Sequence, residues 1–197
     1  MPTPPATEEL KTEANEKTIL GFWIYLMTDV VLFATLFATF AVLRTATNGG
    51  PDGQELFSLP FVLGETLLLL TSSFTSGLMI VMARRGQVKV AALWLIVTML
   101  LGAAFLAMEL SEFRQLALEG NGWWHSAFLS SFFTLVGTHG LHIFFGLLWA
   151  TVLLVQLMKK KLTSNVLRRL TLFSMFWHFL DVIWIFIFTI VYLMGVM

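Results

Sequence analysis

The sequence predicts an all-α, polytopic membrane protein with five transmembrane helices, its amino terminus cytoplasmic and its carboxyl terminus outside. Three observations carry this. Of 197 residues, 57% are hydrophobic and only 12% charged, and the mean hydropathy of +0.82 lies well above that of an ordinary soluble domain. Five stretches reach the length of about 20 apolar residues that a spanning helix needs. The basic residues gather on alternate connections between them.

The segment 1–19, MPTPPATEELKTEANEKTI, is polar, net acidic and proline-rich. It lacks the basic start, short apolar core and small-residue cleavage site of a secretory signal. It is therefore expected to be a largely disordered tail ahead of a membrane domain covering 20–197. The expected spans are Leu20–Leu43, Leu59–Ala83, Val88–Leu110, Ala127–Met158 and Leu170–Met197. The fourth is longer than needed and should tilt or emerge. NGGPDGQ is a turn-rich loop, RRGQVK a tight one and KKKLTSNVLRR a basic link.

Orientation follows from Lys and Arg. Lys11, Lys17, Arg84, Arg85, Lys89, Lys159, Lys160, Lys161, Arg168 and Arg169 fall on one side, against Arg44 and Arg114 on the other. The first side is cytoplasmic. With so few basic residues, all in short links, nothing points to nucleic acid. With no cysteine, disulfides, thiolate ligands and thiol redox chemistry are excluded.

Charged groups inside such spans are costly and mark a site or a packing point. A rise of about 1.5 Å per residue places Asp29 roughly 14 Å and Asp181 roughly 17 Å from their cytoplasmic ends, and His139 roughly 18 Å from its outer end. Asp29, His139, His142, His178 and Asp181 thus share a central slab. Glu65, Glu109 and Glu112 fall near the outer boundary, where water is expected to be close.

His139 with His142, and His178 with Asp181, are spaced i, i+3 and share helix faces. Two readings follow. Imidazoles from two helices at one depth are the raw material of a haem or copper site. Alternatively, the five residues form a structural network, each imidazole satisfied by a carboxylate or carbonyl. Bulky Trp177 and Phe179 flank His178, which weighs toward the second. A proton relay needs polar continuation toward the cytoplasm, and the sequence offers none. The run Thr71-Ser72-Ser73 with Thr75, Ser76 and Gly77 reads as a close-packing face rather than a solute path.

Several motifs resemble subunit III of the haem-copper terminal oxidases from about Gly21 onward. They are Gly21-Phe22-Trp23-Ile24-Tyr25-Leu26-Met27-Thr28-Asp29, Leu59-Pro60-Phe61 leading to Glu65 and Thr66, and Glu109 with Glu112-Phe113. More specific are Gly137-Thr138-His139-Gly140-Leu141-His142 and Trp177-His178-Phe179-Leu180-Asp181-Val182-Ile183-Trp184. The chain is similar to the five-helix form, and its first loop resembles that of bacterial bo-type ubiquinol oxidases.

The resemblance implies a non-catalytic accessory subunit in a bacterial cytoplasmic membrane. Haems and copper would reside in partner subunit I, with no catalytic, cofactor or metal site in this chain. It also implies bound phospholipid, packing against subunit I with the other oxidase subunits, and support for stability and proton uptake. Asp29 stands where the family places an intramembrane carboxylate, often Glu. The alternatives are the same subunit in a caa-type cytochrome c oxidase, a haem-binding cytochrome b anchor, or a small transporter.

Overall fold

The computed structural model describes residues 5–49, 58–160 and 162–196, and all regular structure among them is helical. The helices are α1 (Pro5–Leu43), α2 (Leu59–Arg84), α3 (Val88–Leu118), α4 (Ala127–Lys160) and α5 (Ser164–Ile187). A π-helical stretch, Phe188–Leu193, continues α5, and a last turn, α6, covers Met194–Val196. Among the described residues, five helices are long and apolar enough to cross a membrane.

Most boundaries fall where local chemistry puts them. Pro60 occupies the first turn of α2, where its missing N–H costs nothing. At the other end, Gly86 takes φ +74°. Its N–H bonds the Ala83 carbonyl at 3.0 Å, and Gln87 N–H bonds the Met82 carbonyl at 3.1 Å. This left-handed cap closes the helix within one turn, so α2 and α3 run antiparallel with an extensive contact. Ser126 caps α4 by accepting the Leu129 N–H at 3.1 Å, and Thr163 caps α5 through Val166 N–H.

Three boundaries differ from expectation. α1 opens at Pro5, so the polar stretch anticipated as a separate tail continues the first helix from that point. α3 runs on to Leu118, beyond Leu110, because nothing breaks the helix before the glycine at 120. α5 starts at Ser164, since the Thr163 cap sits seven residues ahead of the apolar run.

α5 is the most buried helix and α1 the least. α5 packs on α2, α4 and α1, while α4 also contacts α3 and α1. Between lipid-embedded helices the hydrophobic effect supplies little drive, so close packing and interhelical hydrogen bonds must hold the bundle. Trp177 shows how. Its indole lies between Gly102 of α3 and Gly146 of α4, where added Cβ atoms would sit 2.6 and 2.8 Å from the ring. Those glycines leave room for the largest side chain in the core.

Candidate functional site

Small hydroxyl residues on α2 organise the middle of the bundle. Trp177 Nε1 donates to Ser72 Oγ at 2.8 Å, and Trp184 Nε1 donates to Thr66 Oγ1 at 3.1 Å. Ser72 in turn donates to the Thr98 carbonyl at 3.2 Å. Thr75 and Thr98 hydroxyls meet at 2.8 Å, and Ser76 donates to Ser174 at 3.1 Å. Ser72, Thr75 and Ser76 of the Thr71–Gly77 run thus form a three-helix seam of α2, α3 and α5, while Thr71 and Gly77 lie outside it. A tryptophan N–H deep in a span needs an acceptor. That need is the sequence signal that finds Ser72 and Thr66.

The slab residues divide into separate groups. Asp29 of α1 and His142 of α4 approach to 3.9 Å between Oδ1 and Nε2, an electrostatic contact rather than a hydrogen bond. His142 Nδ1 lies 2.7 Å from the Thr138 carbonyl and must donate to it. With Nδ1 so engaged, Nε2 is the ring nitrogen that faces Asp29. His178 of α5 pairs instead with α2, its Nδ1 lying 2.6 Å from Ser73 Oγ. Asp181, one turn on, lies beside the same serine and histidine.

Two features depart from the sequence reading. Trp177 does not crowd His178; it turns into the bundle while His178 points out and is exposed. His139 is fully buried, yet neither ring nitrogen has a hydrogen-bond partner among the described residues. Its ring packs 5.2 Å from Trp184 and edge-on at 5.8 Å from Phe105, with Phe33 at 6.4 Å.

The carboxylates expected close to water are largely enclosed by protein. Glu65 is 0% and Glu109 1% exposed, and all four of their oxygens lack a protein hydrogen-bond partner among the described residues. They lie within electrostatic range of each other and of half-buried Glu112. Glu109 nests against the α4 backbone at Gly140, where a Cβ would lie 2.5 Å from Oε1. Tyr192 Oη donates to Glu112 Oε2 at 2.8 Å. The π-helical stretch turns Tyr192 inward, a feature that the hydropathy of the span does not reveal.

A haem pair would need facing imidazoles with space for a porphyrin. His139 is closed in by three aromatic rings and His178 looks outward, so the pair does not fit that group. Among the described residues, no cluster of three or more His, Cys, Asp or Glu side chains has a geometry able to hold a metal ion.

The family described as cytochrome c oxidase subunit III matches residues 8–196. The chain is 55% identical to cytochrome bo(3) ubiquinol oxidase subunit 3 of Pseudomonas aeruginosa, over 93% of this chain and 88% of that one. It is 49% identical to quinol oxidase subunit 3 of Bacillus subtilis, over 96% and 93%. It is 47% identical to cytochrome c oxidase subunit 3 of Bacillus sp. strain PS3, over 98% and 93%. By family match and by identity along nearly its whole length, this chain belongs to the cytochrome c oxidase subunit III family of haem-copper oxidases.

Proposed function

We propose that the chain is the accessory subunit III of a proton-pumping bacterial ubiquinol oxidase, which oxidises quinol and reduces oxygen to water. The observation that carries this is its 55% identity to a ubiquinol oxidase subunit 3 over nearly all of both chains. The caa-type alternative is less favoured: relatives named as cytochrome c oxidase subunits reach 47% and 44%.

The accessory role agrees with the geometry. Asp29–His142 ties α1 to α4, and Ser73–His178 ties α2 to α5. The central polar residues therefore act as packing points, and haems and copper belong to partner subunit I. The ten-to-two distribution of basic residues supports a cytoplasmic amino terminus and an outer carboxyl terminus in the cytoplasmic membrane. The apolar outer surfaces of α1 and α4 are suited to phospholipid.

The test is to purify the complex through an affinity tag on this chain and to measure its optical spectrum and oxygen consumption. Haem should co-purify, with oxygen consumed on ubiquinol and not on reduced cytochrome c. A complex that oxidises cytochrome c and not quinol would overturn the donor, and a haem-free preparation would overturn the whole reading.

A further inference from the structure

The middle of α5 presents a polar group where lipid offers no partner. The span Ser164–Leu193 places His178 fourteen residues from one end and fifteen from the other, about 21 Å from either. Its Nδ1 is engaged by Ser73, but the ring is exposed and Nε2 has no hydrogen bond within the described residues. The exposed hydroxyls of the spans behave differently. Thr35, Thr39, Thr71, Thr134, Thr151 and Thr189 all donate to carbonyls three or four residues back on their own helices. They are self-satisfied and can face acyl chains. His178 is not, and an unsatisfied polar atom in hydrocarbon costs several kcal/mol.

A second observation lies beside it on α2. Ser73 and Gly77 are four apart and share a face, and a Cβ built on Gly77 meets nothing within 4 Å. Ser73 is buried beneath His178, so the open space lies above Gly77 alone, one turn away, where the missing side chain lets another helix backbone approach closely. Acyl chains have no need of that notch. A helix that enters it can bring a side chain to His178.

We infer that the α2–α5 face around Gly77 and His178 is the docking surface for a transmembrane helix of another subunit. That helix carries a hydroxyl or amide at mid-membrane depth that hydrogen-bonds His178 Nε2. Hydroxyls and amides both donate and accept, so they suit either tautomer that the Ser73 contact allows. The inference rests on reading the chain as one subunit of a larger oxidase.

The test uses the intact complex. A benzophenone amino acid at Val182, half-exposed one turn from His178, should photocross-link to one other subunit. Gly77→Leu, which fills space that this chain leaves empty, should lower recovery of the chain with the complex at least threefold. His178→Leu should lower recovery about threefold, the equivalent of the ~0.6 kcal/mol average for an interhelical hydrogen bond in membranes, and His178→Asn should restore part of it. If the complex co-purifies intact while Val182 cross-links only to lipid, or Gly77→Leu is recovered like wild type, the docking surface is wrong and the oxidase reading stands. Recovery of the chain with no other subunit would overturn both.

Discussion

Replacing Gly102 with alanine tests whether close packing, rather than apolarity, holds the bundle together. The added methyl would sit 2.6 Å from Cζ2 and 2.8 Å from Cη2 of Trp177, and 3.4 Å from Leu147 Cδ2. The ring must therefore retreat about 0.8 Å to reach 3.4 Å, where contact becomes ordinary. Retreat is blocked on the far side, because the α4 backbone at Gly146 already lies against the indole, and Ser72 holds Nε1 at 2.8 Å. Overpacking of this kind costs about 1–3 kcal/mol. The better helix propensity of alanine returns about 0.8–1 kcal/mol. The cost falls in the upper half of its range because the ring has nowhere to go, which leaves a net loss of about 1–2 kcal/mol, or a 5–30-fold change in the folded-to-unfolded ratio.

Tryptophan fluorescence of the purified complex during heating should show a lower midpoint for Gly102→Ala. Gly21→Ala, where a Cβ meets nothing within 4 Å, should be neutral or slightly stabilising. Trp177→Phe in the Gly102→Ala background should recover part of the loss, a coupling that two independent sites would not show. A Gly102→Ala midpoint equal to those of wild type and Gly21→Ala would refute the argument.

Topology is checked by reporter fusions: one active only outside the cytoplasm should be active after Met197 and silent in the Lys159–Arg169 link, and the opposite pattern would reverse the orientation. His139→Ala and His142→Ala should leave haem and copper per assembled complex unchanged, as measured by pyridine haemochrome and metal analysis, although assembly weakens. Loss of one haem from intact complex would reinstate a ligand role. Tyr192→Phe removes the donor to half-buried Glu112 and should cost about 0.5–1.5 kcal/mol, the net contribution of one hydrogen bond whose acceptor can still reach water. Adding Glu112→Gln to Tyr192→Phe should lower the thermal midpoint little further, since the contact is already gone.

The sequence made the spans legible because apolar length is a direct readout of bilayer thickness. It made helix ends less so: Leu118 and Ser164 were missed because caps and glycine turns, not hydropathy, set them. Order along each helix was legible, and Asp29 of α1 lies 3.9 Å from His142 of α4. Azimuth was not. Position along a helix gives height, but which neighbour a side chain faces depends on how the helices are arranged. That is why the slab network expected to include His178 did not reveal its pairing with Ser73 of α2. The same gap hid the enclosure of Glu65 and Glu109, because helix spacing cannot tell an end that opens to water from one closed by α4 at Gly140.

The distribution of polar groups then follows from the solvent. In water, a helical bundle gains nothing from burying acids and imidazoles for packing alone, since apolar side chains would pack as well. In lipid, every apolar helix face is as content with acyl chains as with another helix, so apolar packing alone does not fix which helices meet or at what height. Hydroxyl and imidazole contacts do. Ser72, Ser73, Ser76 and Thr66 each commit α2 to one position on α5, and Asp29 commits α1 to α4. Each contributes little, about 0.6 kcal/mol on average, but a helix displaced by one residue loses several together. The register is therefore held far more tightly than any single bond implies. Substituting one hydroxyl should lower stability modestly, and substituting Ser72 and Ser76 together should lower it by more than the sum of the two single losses.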